Sequence, residues 1–276
     1  MTCNIRVYSD IHQEYQTTNK EPAKFFKEPF HMAVYKDEKQ QTLVIAGDLI
    51  YLKDLKDIRY VQYLEELANR FKHVIYVFGN HEFYMYKLGK NYILKIVEML
   101  SHIKNLHILS RYTPSIVIDG VKFVGATLWT DFNHEPELYH FYEDTTGDFK
   151  YIKYNDGPYF SKFRTNHWVK EHVEDFTWIK NEVYNSLEPV VVVSHHAPTS
   201  ITTDPVDDPK SQYTQFYTSN LDDFIIKNPN ILMWIHGHVH YPFDYHMGTT
   251  RIFSNPKDYH ISVDDNPERS FIEINP

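Results

Sequence analysis

The feature that constrains this chain most is a strand end followed by three polar residues, Gly79-Asn80-His81-Glu82. The residues before it, from His73 onward, form an apolar and β-branched run of strand length. A strand that stops at a glycine and delivers polar side chains into a loop is typical of open α/β sheets, whose ligands bind beyond the carboxyl ends of the strands. Taken alone, these residues also fit a capped turn that leads into a helix.

Two earlier strands end in the same manner. The first predicted strand, Asn4 to Ser9, delivers Asp10 and His12. Residues two apart in an extended segment point to the same side, so both side chains can face one point in space. A turn with a surface histidine is the alternative for this pair. The second predicted strand, Thr42 to Gly47, ends in the carboxylate of Asp48.

Two apolar strands in the second half of the chain, Pro189 to Val193 and Ile231 to Ile235, are followed by histidines. A single histidine at a strand end is more often a hydrogen-bonded surface residue than a metal ligand, so these positions gain meaning only together. The histidines are His195, His196, His236, His238 and His240.

The remaining pattern alternates helices with short strands. Apolar residues at helical spacing predict helices over 54–71, 90–103, 166–187 and 216–227. Further strands are predicted at 106–109, 115–118, 121–127, 249–254 and 270–274. The turn Asp119-Gly120 between two of these strands indicates a second sheet with antiparallel pairing. We expect a packed loop with some helix over 21–41 and a loop over 200–212.

Length and composition bound the class of protein. The chain has 276 residues, 42% apolar and 24% charged, which is ordinary globular composition. No repeat or linker interrupts it, so we expect one domain over residues 1–276 that includes a long aromatic-rich segment at about 130–163. The net charge of -9 gives no general attraction to nucleic acid or anionic lipid, so a phosphate site must build its positive potential locally.

Cysteine content and hydropathy indicate the compartment. Cys3 is the only cysteine, which excludes an intrachain disulfide and fits a reducing environment. The sequence has no signal-like segment at its start and no apolar run of membrane-spanning length. We therefore expect a cytoplasmic protein with no membrane partner.

The five strand ends carry, in chain order, Asp-x-His, Gly-Asp, Gly-Asn-His-Glu, a histidine pair and Gly-His-x-His. With this order and placement, the sequence resembles the calcineurin-like metallophosphoesterase superfamily from Asp10 to His240. Together with the element pattern, the resemblance implies an α/β fold of two packed mixed β-sheets flanked by helices, a four-layer αββα sandwich.

The resemblance implies a binuclear metal centre in which Asp48 bridges two ions. The first ion is expected on Asp10, His12, Asp48 and His240. The second ion is expected on Asp48, Asn80, His195 and His238. Mixed imidazole and carboxylate ligands suit two divalent or trivalent transition-metal ions such as Mn, Fe, Zn or Ni better than Mg or Ca.

His81 receives no metal in this assignment. Its implied role is catalytic, to stabilise developing charge and to protonate the leaving oxygen while a metal-bridging hydroxide attacks phosphorus. The neighbours His196 and His236 lie outside the family positions and are interpreted as supporting or strand residues. His134 and His140, in the aromatic segment, are given no role.

One position departs from a branch of the superfamily. Phosphoprotein phosphatases carry Gly-Asp-x-x-Asp-Arg-Gly, whereas this chain has Tyr51 in place of the second Asp and lacks the phosphate-binding Arg. This departure favours the broader bacterial-type phosphoesterase branch over a phosphoprotein phosphatase. It also leaves no residue assigned to orient His81.

The expected function is metal-dependent hydrolysis of a phosphodiester or phosphomonoester, with a small and nucleotide-like ester as the leading substrate class because aromatic side chains can stack a base. Plain packing is the alternative role of those aromatics. A nuclease is disfavoured by the acidity of the chain, so nucleic acid is not the expected partner. A catalytically inactive scaffold of the same fold is the alternative from another class.

Overall fold

The computed structural model describes residues 2–15, 34–155, 157, 159–202, 213–257 and 270–276. Most of the expected loop at 21–41, and the part of the loop at 200–212 that begins at 203, lie outside the described residues. Among the described helices, none combines the length and apolar character that crossing a bilayer requires.

The first sheet has five strands in the order β14-β1-β2-β3-β5. Its strands are β1 Cys3–Tyr8, β2 Thr42–Ala46, β3 His73–Val77, β5 Leu106–Leu109 and β14 Phe271–Ile274. β14 pairs antiparallel with β1, and the other pairs are parallel. The carboxyl ends of β1, β2 and β3 therefore meet at one edge.

The second sheet has six strands in the order β12-β13-β11-β10-β7-β6. Its strands are β6 Ile116–Ile118, β7 Val121–Ala126, β10 Val190–Ser194, β11 Ile231–His236, β12 Phe243–Met247 and β13 Thr250–Ser254. The outer strands β6 and β12 pair antiparallel with their neighbours, and the inner pairs are parallel. The turn between β6 and β7 has positive φ at Asp119 and Gly120, as a tight hairpin of this kind requires.

Alternate side chains of each strand enter two different cores, which accounts for the layered architecture. In β2, Val44 and Ala46 face the second sheet, whereas Leu43 and Ile45 face the helices on the other side. The helices are α1 Ile58–Arg70, α2 Lys90–Met99, α3 Tyr139–Thr145, α4 Asp148–Tyr151, α5 Thr165–Tyr184, α6 Thr214–Tyr217 and α7 Asp222–Lys227. Helices α5 and α7 pack on the outer face of the second sheet. The predicted α/β fold class is confirmed.

All four helix predictions were wrong in their bounds. The helices predicted over 90–103 and 166–187 end early, at Met99 and Tyr184. The residues before α1 form a separate 3₁₀ turn, Leu52–Lys56, because the Asp57 carboxylate accepts the backbone N–H of Arg59 and starts a new helix there. The helix predicted over 216–227 is two helices, α6 and α7. Between them Thr218 pairs with Ala197 in a β-bridge, which extends the backbone at that point.

The aromatic-rich segment is packed into the core. Phe132 stacks on Tyr142 at 4.6 Å, and Phe149 and Phe163 are fully buried beside Trp168. The segment also supplies two strands of a small third sheet that the sequence did not predict. The two strands from the segment are β8 Lys153–Asn155 and β9 Phe160–Lys162, and the third strand of this sheet is β4 Lys87–Leu88.

Candidate metal centre

The strand ends of both sheets meet, and the residues there have unusual backbone conformations. Positive φ angles are uncommon outside glycine and cost of order 1–2 kcal/mol each. Strain concentrated at one place is typical of functional sites. The residues with left-handed φ at these ends are Asp10, His12, Asp48, His238 and His240.

The first cluster brings together Asp10, His12, Asp48 and His240, whose ligand atoms all lie within 4.8 Å of one another. His240 Nε2 is 3.3 Å from Asp10 Oδ1, and His12 Nε2 is 3.6 Å from Asp48 Oδ2. The two histidine Nε2 atoms are only 3.4 Å apart. Two imidazole nitrogens and two carboxylates that converge in this way form a donor set for a transition-metal ion.

The second cluster brings together Asp48, His195 and His238. His195 Nδ1 donates to the Ala46 carbonyl at 2.9 Å, so the lone pair of its Nε2 faces the site. That nitrogen is 3.3 Å from Asp48 Oδ2 and 3.0 Å from Asn80 Oδ1. Three acceptor atoms therefore face one another, an arrangement that only a cation or an added proton satisfies.

Electrostatics around His195 agree with this geometry. Burial opposes protonation of the ring, but the negative charge of Asp48 outweighs it and raises the pKa of His195 to about 9. The buried Nε2 of His238 has no hydrogen-bond partner among the described residues. Because buried polar atoms are normally satisfied, this orphaned nitrogen also fits a metal ligand. The residues present therefore fit a pair of transition-metal ions.

Glycine is required where the strand ends crowd together. A Cβ at Gly79 would lie 2.1 Å from Asp48 Oδ1, and one at Gly47 would lie 2.2 Å from His195 Nδ1. Gly47 also has a φ of +86°, which favours glycine. These two positions let the backbone approach the cluster closely.

Glu82 ties the ends of β2 and β3 together. It is fully buried and accepts the backbone N–H groups of Gly79 at 2.7 Å, Asp48 at 3.0 Å and Leu49 at 2.7 Å. It also accepts the Tyr76 hydroxyl at 2.5 Å. This glutamate lies within the opening motif, yet the sequence analysis gave it no role.

Asp148 of α4 is a second buried acid that the sequence did not indicate. It accepts from Asn80 Nδ2 at 2.8 Å and from the Tyr84 hydroxyl at 3.3 Å. The first bond turns Asn80 Oδ1 toward His195. No sequence signal distinguishes Asp148 from other acids of the aromatic segment, because its position depends on how that segment folds back.

His81 lies beside both clusters. Its backbone N–H donates to Asp48 Oδ1 at 3.0 Å, and its ring stacks on Tyr84 at 4.2 Å between centroids. Its Nδ1 is 3.3 Å from Glu14 Oε1. Burial opposes its charge, but Asp48 and Glu14 outweigh burial and raise the pKa of His81 to about 9. Glu14, which extends the alternation of Asp10 and His12 by two residues, was missed by the sequence analysis.

The other histidines lie outside the two clusters. His134 has an 81% exposed side chain, and His140 is exposed. His196 Nδ1 lies 3.2 Å from the Thr127 carbonyl, and His236 Nδ1 lies 3.0 Å from the Gly237 carbonyl. The last two are buried next to the candidate ligands and position the loops that carry them.

Comparisons with known proteins agree with this architecture. The chain is 27% identical over 217 residues to uncharacterized protein L509 of Acanthamoeba polyphaga mimivirus, which covers 69% of this chain and 75% of that protein. It superposes on the phosphopantetheinyl hydrolase PptH of Mycobacterium tuberculosis with a TM-score of 0.73 and 18% identity, over 99% of this chain and 96% of the other. Residues 3–242 match the calcineurin-like phosphoesterase family. Because this match spans most of the chain, the protein belongs to the calcineurin-like phosphoesterase family of metal-dependent phosphoesterases.

Proposed function

We propose that the protein hydrolyses a small phosphate ester with a binuclear metal centre. Asp10, His12, Asp48 and His240 would hold one ion. Asp48, Asn80, His195 and His238 would hold the other. The observation that carries this proposal is the convergence of three acceptors: Asp48 Oδ2 and Asn80 Oδ1 lie 3.3 Å and 3.0 Å from His195 Nε2.

When bound, such a metal pair clamps phosphoryl oxygens and supplies a hydroxide nucleophile near neutral pH. The two carboxylates among the proposed ligands carry two negative charges against four positive charges on two divalent ions. The site is then locally positive by about two charges, although the whole chain has a net charge of -9. This local charge explains how an acidic protein attracts a phosphate.

His81 supplies the proton chemistry. Its ring is 14% exposed, enough to meet a substrate, and it is held by the stack on Tyr84. In the proposed step, hydroxide forms a bond to phosphorus while the bond between phosphorus and the leaving oxygen breaks, and the electron pair of the broken bond stays on the leaving oxygen. The proton on His81 Nε2 moves to the same oxygen, so the product leaves as a neutral alcohol.

Aromatic side chains near His81 favour a substrate with a planar or extended leaving group. The Tyr51 ring lies 6.1 Å from His81, and Tyr151, with 48% of its surface exposed, lies 5.4 Å from Tyr84. Half of the aromatic side chains in the 130–163 segment are buried and unavailable for stacking, namely Phe132, Tyr142, Phe149, Tyr154 and Phe163. We therefore propose small diesters, nucleotide-like esters first, and we include a phosphopantetheinyl diester because PptH is a phosphopantetheinyl hydrolase.

An inactive scaffold is the competing function. A scaffold has no need of strained ligand positions or of an orphaned buried nitrogen at His238, since both cost stability without catalysis. Those two features favour the enzyme. A phosphoprotein phosphatase is disfavoured because Tyr51 stands where that branch has its second Asp, and the phosphate-binding Arg that follows this Asp is missing here.

Metal analysis joined to an ester panel tests the proposal. The purified protein is stripped, reloaded with Mn, Fe, Zn or Ni, and assayed on mono-aryl, bis-aryl, nucleotide and phosphopantetheinyl esters and on a phosphoprotein. We expect about two metals per chain and hydrolysis of small esters, with diesters favoured when Mn is supplied. Two bound metals without turnover of any ester support the scaffold, and a clear preference for the phosphoprotein contradicts the interpretation of Tyr51.

A further inference from the structure

Glu14 is a buried acid whose contacts the proposed chemistry does not yet use. It lies in the 3₁₀ turn Gln13–Tyr15 that follows β1, and only 5% of its side chain is exposed. Its Oε1 is 2.9 Å from His12 Nδ1 and 3.3 Å from His81 Nδ1. One carboxylate oxygen therefore joins two imidazoles, one from each of two strand ends.

These contacts set which nitrogen of each ring carries hydrogen. A carboxylate oxygen only accepts, so both Nδ1 atoms donate to Glu14. His12 Nε2 then has its lone pair directed at Asp48 and His240, as a metal ligand requires. In the protonated ring of His81, Nε2 carries the proton that faces away from Glu14.

Glu14 also has a feature that a purely structural acid would avoid. Its Oε2 is buried and has no hydrogen-bond partner among the described residues. A buried carboxylate oxygen without a hydrogen-bond partner is unfavourable for folding. Buried groups that break a local rule of stability are expected mainly at functional sites.

Position 51 offers no competing carboxylate. The Tyr51 ring packs 6.1 Å from the His81 ring at an angle of 30°, and Tyr84 covers the ring at 4.2 Å and 18°. Both aromatic rings restrain the plane of the imidazole, but neither selects a tautomer through the observed stacking. Glu14 contacts a ring nitrogen of His81 with a negative charge, whereas Asp48 accepts the backbone N–H of His81.

We propose that Glu14 is the positioning residue of His81, holding its Nδ1–H and thereby aiming its Nε2–H at the leaving oxygen. The proposal rests on the proposed phosphoesterase function. In phosphoprotein phosphatases the residue at the position of Tyr51 is an Asp that would orient His81. Tyr51 has no carboxylate, so the proposal gives this role to Glu14, which follows the first strand. The same carboxylate supports His12, and this second contact must be separated from the first by experiment.

A double-mutant cycle separates the two contacts. Glu14→Gln keeps the shape of the side chain and removes its charge, and His81→Ala removes the contact to His81 while leaving the one to His12. Glu14→Asp keeps the charge on a shorter side chain and serves as the conservative variant. The exposed Glu98→Gln on α2 is the matched control.

The kinetic readout is the dependence of kcat on the leaving-group pKa across a series of phosphate diesters. We expect Glu14→Gln to lower kcat roughly 10–100-fold for alkyl leaving groups and less than about 3-fold for acidic phenols. The kcat of Glu14→Asp should lie between that of Glu14→Gln and that of the wild type. In the His81→Ala background, Glu14→Gln should add no further leaving-group dependence. The proposal would be overturned if Glu14→Gln lowered kcat equally in the wild-type and His81→Ala backgrounds. It would also be overturned if Glu14→Gln left the dependence of kcat on leaving-group pKa unchanged.

A second readout needs no activity. Ring ¹H–¹⁵N spectra of the metal-free protein should show His81 as the Nδ1–H form or the doubly protonated form, with its signal assigned by loss in His81→Ala. Glu14→Gln should shift that signal or abolish it, and Glu98→Gln should not.

If wild type hydrolyses no ester, the proposed function fails, while the spectrum still decides whether Glu14 contacts His81. An unchanged His81 signal in Glu14→Gln would refute the positioning role. Metal titration of each variant measures the His12 contact separately.

Discussion

The side-chain amide of Asn80 donates to the carboxylate of Asp148 at 2.8 Å, and this bond turns the amide oxygen of Asn80 toward His195. An amide offers one acceptor and two donors, so its orientation decides whether Asn80 contributes an oxygen to the candidate metal centre. The aromatic segment therefore reaches the site through one buried acid. Asp148 is the residue by which this segment constrains a proposed ligand.

Asp148→Ala should weaken the second metal of the proposed pair. Without its acceptor, the amide can rotate and present hydrogen instead of oxygen, and we expect about a 10–100-fold loss of metal affinity. Calorimetric metal titration of the stripped protein measures this loss. Asp148→Asn still offers an oxygen to Asn80 and should lose much less. Equal affinity in Asp148→Ala and the wild type would show that Asn80 is oriented by something else.

Asp48→Asn should cost bound metal and activity together. Asp48 is shared by both clusters, and the substitution removes the charge of the proposed bridge. Metal content by elemental analysis and turnover of an aryl diester are the two measurements. Asp223→Asn, at a surface ion pair with Lys227, is the matched control. A variant at position 48 with full metal and full turnover is incompatible with a binuclear site.

His81→Ala should leave two metals bound and lower kcat with little change in KM, because its contribution is made in the transition state. Esters with a high leaving-group pKa, such as alkyl or ribose esters, should lose more than acidic phenol esters. Steady-state kinetics on a graded ester series measures this. An equal loss of kcat for all esters would remove the proton-donating role of His81 and leave it only the stabilisation of charge. Loss of one metal in His81→Ala would make His81 a metal ligand.

Glu82→Gln should lower the free energy of unfolding more than a Glu-to-Gln substitution at an exposed position does. The three backbone N–H groups that point at Glu82 need acceptor oxygens, and a glutamine would turn an NH₂ group toward some of them. We expect a loss of about 2–4 kcal/mol in the free energy of unfolding, measured by urea denaturation of the metal-free protein. Glu98→Gln should change it by less than about 0.5 kcal/mol. A stable Glu82→Gln variant would contradict the role of Glu82 in tying β2 to β3.

The pair His73 and His107 predicts acid sensitivity away from the metal centre. Nδ1 of His73 on β3 lies 3.1 Å from Nε2 of His107 on β5, and burial, helped by His73, lowers the pKa of His107 from 6.5 to about 4. Between these values the unfolded chain binds a proton that the folded protein does not, so stability is full above pH 6.5 and falls toward pH 4. Because the ring is partly exposed, we expect a loss of roughly 1–2 kcal/mol.

His107→Gln removes this titration, so its melting temperature should fall less between pH 7 and 4.5 than that of the wild type. Thermal unfolding of the metal-free protein at several pH values measures the difference. His134→Gln, at a side chain that is 81% exposed, should follow the wild type. Parallel pH profiles for all three proteins would refute the prediction.

Much of the fold could be read from the sequence because its signals are local. Apolar runs that end in glycine or a polar residue located β1, β2, β3, β10 and β11, and the turn Asp119-Gly120 located the β6–β7 hairpin. The helix over 216–227 was wrong because a bridge between Thr218 and Ala197 overrides helical spacing, and such pairing leaves no local trace. The third sheet, which includes a strand of only two residues, was not predicted because its strand pairing also leaves no local trace in the sequence.

For the site, the sequence by itself determined which candidate ligands stand at the strand ends, because each strand end delivers its own Asp, Asn or His. It could not determine what holds them. Each of the three supporting acids contacts a partner far away in the chain. Glu14 and His81 are separated by 67 positions, Glu82 and Leu49 by 33, and Asp148 and Asn80 by 68. A carboxylate at such a separation becomes a partner only when the strands are stacked and the aromatic segment is folded over them. The orientation of each ligand was therefore decided by the tertiary structure, since hydrogen bonds of 3 Å depend on packing that no local pattern encodes.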